Sequence, residues 1–215
     1  MSELISCLCP TKNKPEVVRK AIECFRDQVY KNKELVLVTD TENPYLEDLK
    51  VLVEEFSDNG DITLVEAPAN STLGALRNIS VDSAKGEYVA TWDDDDIHHI
   101  KRIALQYKRL KDSKREACYL TGTIIKDNTT GDVALSNVGY SNPCTMLALK
   151  SSLPRYNEVP ITKSGAGGDD MPVYSYHMNS GRMAWLEMPH LYIYNIHGGN
   201  TCSYEIQRRW MDKVI

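Results

Sequence analysis

Four short apolar runs alternate with three amphipathic segments in the first half of this chain, and that rhythm limits the available folds more than any other feature. Leu4 to Cys9 is ended by Pro10, and Pro15 to Gln28 then carries Val18, Ala21, Ile22 and Phe25 at helical spacing. Glu34 to Thr39 reads as a buried strand ending at Asp40, Tyr45 to Phe56 as a helix, Ile62 to Val65 as a third strand and Leu73 to Ala84 as a third helix. Tyr88 to Trp92 makes a fourth strand that runs into Asp93, Asp94, Asp95 and Asp96. Strand and helix in strict alternation predict an α/β fold with a mostly parallel sheet flanked by helices.

The rhythm then changes. A helix is expected from Ile97 to Lys111, after which Tyr119 to Lys126 and Asp132 to Val138 flank Asn128-Thr129-Thr130-Gly131, a hairpin signal. The second half therefore reads as mixed α+β, with an apolar strand at Leu191 to Ile196 and a helix start at Met171-Pro172-Val173. No internal repeat, low-complexity tract or linker interrupts the 215 residues, which favours one domain.

Composition excludes several classes. The formal charge of -5, from 25 basic and 30 acidic side chains, disfavours a nucleic-acid binder, whose affinity rests on a basic face. Any anionic ligand must be met locally. No apolar run approaches a membrane span, and Met1 to Ser6 shows no basic stretch leading into an apolar one, so a cytoplasmic location is expected. Cys7, Cys9, Cys24, Cys118, Cys144 and Cys202 lack paired metal spacings and read as reduced, mostly buried thiols.

Asp93 to Asp96 is the most informative local feature. Ligands of open parallel sheets bind beyond the carboxyl ends of the strands, where this run sits. Neighbouring carboxylates at roughly 4 Å repel by about 1 kcal/mol in water and about 4 at an effective dielectric of 20, so the crowding needs compensation. A divalent cation such as Mn2+ or Mg2+ would supply it; a solvated acidic loop is the alternative. Asp40 ends the second strand at the same edge and either accepts a hydrogen bond from a ligand or caps its own loop. Arg77 either reaches a diphosphate or pairs with a neighbouring acid. Asp169 and Asp170 follow a glycine-rich stretch, Gly165 to Gly168, and serve as a helix cap or as a general base under a closing loop. His197, at a strand end before Gly198-Gly199, is structural or binds a metal or phosphate oxygen.

In order along the chain, Ile5 to Pro15, Leu73 to Asn78, Ala84 to Asp96, Gly168-Asp169-Asp170 and Tyr194 to Thr201 resemble the successive motifs of family 2 glycosyltransferases of the GT-A fold. The resemblance implies a nucleotide-sugar half (residues 1–112) and an acceptor and catalytic half (residues 113–215) within a single domain. Pro10, Thr11 and Asp40 would meet base and ribose, Arg77 the base or diphosphate, and Asp94 the ribose. Asp93 and Asp95 would be the D-x-D pair, with Asp95 the direct metal ligand, and Asp169 would lie beside the donor. Asp170 would deprotonate the acceptor hydroxyl for an inverting transfer, while metal and His197 stabilise the departing diphosphate. A UDP-linked hexose or deoxyhexose donor and a glycan or sugar acceptor are implied, with acceptor specificity around Asn142 to Tyr156 and the Gly165 to Gly168 loop.

The chain departs from the family pattern in three places. Lys12 stands where a tyrosine is usual, Asp169 where a glutamate is usual, and Gln207-Arg208-Arg209-Trp210 is one residue short of the Gln-x-x-Arg-Trp of processive synthases. Single addition is therefore expected. The size also resembles the first glycosyltransferase module of a multidomain chlorella-virus protein, which would make this chain part of a longer polypeptide acting in a host cytoplasm. A silent sugar-nucleotide-binding module is the non-enzymatic alternative, against which Asp170 argues. A sugar nucleotidyltransferase would need a glycine-rich loop where Cys9-Pro10-Thr11-Lys12 stands.

Overall fold

Strand β1 (Ile5–Pro10) is buried along its whole length because helices cover both of its faces. Its side chains alternate. Ile5, Cys7 and Cys9 join one core with Val18, Ala21, Ile22 and Phe25 of α1 (Pro15–Arg26), Leu49 and Leu52 of α2 (Leu46–Phe56), and Ile103 and Leu110 of α4 (Arg102–Ser113). Leu8 joins the other core, with Leu76 of α3 (Leu73–Ser83) and Val173 and Tyr174 of α5 (Met171–Asn179). Helix α1 opens with Pro15 in its first turn and Glu16 behind it, and closes on Arg26, in keeping with the helix dipole. The computed structural model describes residues 2–56, 60–136, 141–158 and 168–214.

Among the described residues, β1 lies between β2 (Lys33–Asp40) and β4 (Tyr88–Thr91), parallel to both, and β2 pairs in parallel with β3 (Ile62–Ala67). The sheet continues beyond β4 through β9 (Leu147–Leu149), β6 (Ala117–Leu120) and β10 (Met183–Leu186), in the order β10-β6-β9-β4-β1-β2-β3. Only β9 runs antiparallel to its neighbours. A second sheet has the order β12 (Met211–Val214), β8 (Val133–Ser136), β7 (Ile124–Asp127), β11 (Tyr192–Ile196), β5 (Ile97–His98). No helix is long and apolar enough to cross a membrane among the described residues.

The α/β expectation holds, and the hairpin appears as β7 and β8 around Gly131, whose φ of 82° needs a glycine. Other expectations are corrected. The helix expected from Ile97 begins at Arg102, because Ile97–His98 pairs with β11 and turns His98 into the core against Trp92. The strand expected from Tyr119 to Lys126 breaks at Gly122, whose φ of 65° sends β6 and β7 into different sheets. The expected end of the following strand at Val138, and Gly165 to Gly167, lie outside the described residues.

The entry into β4 rests on a buried carboxylate. Glu34 accepts hydrogen bonds from Ser6 Oγ at 2.6 Å and the Lys85 amide at 2.6 Å, and Ser6 Oγ in turn accepts from the Gly86 amide at 2.8 Å. A Cβ on Gly86 would lie 2.7 Å from both the Leu4 carbonyl oxygen and Ser6 Oγ. Overpacking against backbone typically costs about 1–3 kcal/mol. Gly86→Ala is expected to lower unfolding stability by that amount in urea titration; an unchanged midpoint would mean that β1 yields freely there.

Candidate active site

The carboxyl ends of β1 and β4 open onto a cavity of about 390 Å3. Pro10, Thr11, Arg77, Asp93, Asp94, Asp95, Asp169 and Asp170 all line it, so most residues singled out from the sequence converge on one space. Asp40 and His197 are not on its wall and connect to it through Lys12 and Asp95.

The four consecutive aspartates point to four different partners. Asp93 faces Arg77, with Nη2 to Oδ1 at 3.4 Å. Asp94 accepts from Thr11 Oγ1 and from Asn13 Nδ2 at 3.1 Å, which ties the loop after β1 to the loop after β4. Burial, followed by the charge of Asp95, pushes the Asp94 carboxyl up to about 7. Asp95 lies 2.8 Å from His197 Nε2, both side chains partly open to solvent, and this contact raises the histidine above its ordinary value. Asp96 is buried and accepts from the Tyr192 hydroxyl and from the Asn195 amide at 2.8 Å. It anchors β11 to the loop, a role four identical letters in the sequence do not distinguish.

Arg77 is committed to acids of this chain. Besides Asp93 it holds Asp169 at 2.7 Å from Nε, and its guanidinium sits 5.7 Å from the centre of the Tyr156 ring. Only 7% of its side chain is exposed. Helix α3 reaches its partner segment closely: Asn78 donates to the Tyr156 carbonyl at 3.0 Å and accepts from the Tyr156 amide at 2.9 Å. The Asn157 amide then donates to the Asp169 carbonyl at 2.9 Å. Gly74 permits this contact, since a Cβ there would lie 1.8 Å from the Asn157 carbonyl oxygen.

Asp170 stands at the N-cap position of α5, yet its side chain makes no cap hydrogen bond. The carboxylate instead faces the cavity, where burial pushes it up to about 6 against the opposing pull of Arg77. Gly168 makes room for it: a Cβ there would meet Asp170 Oδ1 at 2.9 Å. A carboxyl with this titration range, beside a cavity large enough for a ligand, is equipped to take a proton near neutral pH.

At the other end of the cavity, Lys12 closes over Asp40. Its ammonium lies 2.6 Å from Asp40 Oδ2 and 2.9 Å from the Ser71 carbonyl oxygen, while Asp40 Oδ1 accepts from the Glu42 amide at 3.1 Å. Asp40 is 2% exposed. The cavity wall there is the lysine, which is half exposed, and not the carboxylate. The sequence shows Lys12 only as a departure from the family pattern, and it assigns no individual role to Asn13, Asp96, Tyr192 or Asn195. Trp210, which stands out there only within the shortened Gln-x-x-Arg-Trp segment, also lines the cavity and packs edge-on against Tyr194 at 5.8 Å.

Among the described residues no three His, Cys, Asp or Glu side chains gather as a ready metal site. Asp93 is turned to Arg77, which leaves Asp95 and His197 as one oxygen and one nitrogen donor side by side. That pair fits a divalent ion which takes its remaining ligands from a diphosphate and water, as Mg2+ and Mn2+ do.

Comparison with known proteins identifies the family. Residues 6–187 match glycosyl transferase family 2. An uncharacterized glycosyltransferase of Methanocaldococcus jannaschii is 30% identical over 113 residues, 52% of this chain and 38% of that protein. Glycosyltransferase GlyG of Streptococcus pneumoniae is 22% identical across 100% of this chain and 78% of its own length. A fragment of S. aureus TarS in complex with UDP-GlcNAc superposes with a TM-score of 0.70 at 17% identity, over 93% of this chain and 60% of the other. The mannosyltransferase PcManGT from Pyrobaculum calidifontis, in complex with GDP-Man and Mn2+, superposes with a TM-score of 0.68 at 16% identity, over 97% and 61%. A family match running from β1 to the end of β10, on this sheet and around this cavity, makes the chain a member of glycosyl transferase family 2, a glycosyltransferase of the GT-A fold.

Proposed function

We propose that this glycosyltransferase moves a hexose or deoxyhexose from a UDP-linked donor to a hydroxyl of a glycan acceptor, with inversion, one sugar at a time, using Mn2+ or Mg2+. The observation that carries this reading is that Asp95, paired with His197 behind it, and the uncapped Asp170 line one cavity. Residues 1–112 supply the donor side: the loop after β1, with Pro10, Thr11 and Lys12, borders the nucleoside, and Asp94 stiffens that border by holding Thr11 and Asn13. Residues 113–215 supply the acceptor side, including Asp170 and the Trp210 ring. The relatives support the donor class, since TarS is seen with UDP-GlcNAc and PcManGT with GDP-Man and Mn2+. The viral and multidomain context belongs to the same proposal, as does a cytoplasmic site of action.

The chemistry then follows from the chain's own groups. Asp170 accepts the proton of the acceptor hydroxyl as that oxygen bonds to the anomeric carbon, and the bond from this carbon to the diphosphate breaks on the opposite side. Inversion results. Asp95 and His197 would hold the divalent ion, which supplies charge neutralisation for the departing nucleoside diphosphate. Arg77, on the cavity wall, pairs with Asp169 beside Asp170 and with Asp93 two residues before Asp95.

Three measurements test the reading. Calorimetric titration of UDP is expected to show tighter binding with Mn2+ than with EDTA, and equal affinities would remove Asp95 and His197 from a metal role. Asp170→Asn is expected to lower turnover by about 10²- to 10⁴-fold, the usual worth of a general base, with UDP affinity within a few-fold of the parent. A mutant that turns over normally places the base elsewhere. The pH profile of kcat/KM should rise through about 6 and level above it, because Asp170, raised by burial, is protonated and unable to accept a proton below that value.

A further inference from the structure

Directly beneath the acidic loop the fold buries a cation with no acidic partner. Arg102, the first residue of α4, is 0% exposed, and among the described residues no carboxylate lies within ion-pair distance of it. An unpaired buried charge is costly unless its hydrogen bonds are met in full. Here they are. Nε donates to Gln106 Oε1 at 3.0 Å, Nη2 to the Thr91 carbonyl at 3.0 Å and the Cys144 carbonyl at 3.4 Å, and Nη1 to His98 Nδ1. The guanidinium also faces the rings of Trp92 at 5.5 Å and Tyr192 at 5.2 Å.

Four of these six partners, Thr91, Trp92, His98 and Tyr192, flank or hold the acidic loop. Thr91 ends β4 just ahead of the loop, and His98 follows it. Arginine only donates, so His98 Nδ1 must accept, and the ring proton sits on Nε2, which donates to the Asp93 carbonyl at 3.0 Å. The imidazole is held flat against Trp92, with centroids 3.8 Å apart and planes 22° apart. At the loop's far end the hydroxyl of Tyr192, whose ring faces Arg102, donates to Asp96, and Asn195 Nδ2 donates to the Asp95 carbonyl at 2.7 Å. Both ends of the loop are therefore tied to the surroundings of one cation, and Asp95 is left facing His197.

We propose that Arg102 is a positioning residue for metal binding: through His98, Thr91 and Tyr192 it sets the backbone of Asp93 to Asp96 so that the Asp95 carboxylate meets His197. The proposal rests on the metal-ion reading given above. A planar fork serving four acceptors and two rings is a task for arginine and not for lysine.

The test compares the parent with Arg102→Lys, His98→Phe and Tyr192→Phe. His98→Phe keeps a ring against Trp92 and removes both hydrogen bonds. UDP affinity is measured by calorimetry with Mn2+ and with EDTA, and folding by thermal melting. In the folded variants UDP affinity in EDTA should stay within a few-fold of the parent, while the gain conferred by Mn2+ falls by about 10- to 100-fold, the usual cost of losing a group that orients a metal ligand. A purely structural role would lower the melting temperature and leave the Mn2+ gain of the folded protein unchanged, and that result overturns the proposal. If Arg102→Lys does not fold, the two milder variants decide in the same way. A parent protein with no Mn2+ gain instead overturns the metal-ion reading, and this proposal with it.

Discussion

Four adjacent carboxylates at the end of one strand cannot share one environment, and the rest of the site is organised by how they are kept apart. Each is drawn to a different part of the chain: Asp93 to α3 through Arg77, Asp94 to the loop after β1, Asp95 to the segment after β11 and Asp96 to β11 itself. Mutual repulsion, which weakens such a cluster in isolation, here becomes a set of separate anchors. The loop after β4 thus joins two sheets that share no strand.

Helix α3 carries that organisation across the cavity. Asn78 and Gly74 bring its N-terminal turns against Tyr156 and Asn157, whose backbone holds Asp169, and Arg77 completes the bridge between Asp169 and Asp93. The acid loop and the segment bearing Asp170 are thereby placed relative to each other by one helix. Close backbone approach at a glycine and a two-acid arginine achieve this without any exposed group.

The parallel half was readable because strands buried on both faces leave unbroken apolar runs, and helices against them leave a 3.6-residue stripe, as Val18, Ala21, Ile22 and Phe25 show. The strands that close the second half were less readable. Strands β9 and β10 have three and four residues, too few for a period to emerge, and the turn at Gly122 is marked by one glycine within an otherwise strand-like stretch. Asp93 to Asp96 could be located from sequence but not told apart, since their roles depend on Arg77, Thr11, His197 and Tyr192, all distant in the chain. Asp40, for which the sequence leaves ligand contact and loop capping open, caps its loop by accepting from the Glu42 amide and also pairs with Lys12. Whether a carboxylate meets a ligand or a neighbouring lysine is decided by the side chain lying over it, and Lys12 is 28 positions away.

The antiparallel β9 has a consequence for how the molecule holds together. It lies between β4 and β6, so the strand that delivers the acidic loop is completed only by residues some sixty positions later in the chain. A fragment ending near residue 112 would expose β4 as an open edge, with unpaired amides and carbonyls beside the most charged loop of the protein. Residues before and after position 112 therefore share one sheet, and the edge of β4 is closed only when both are present.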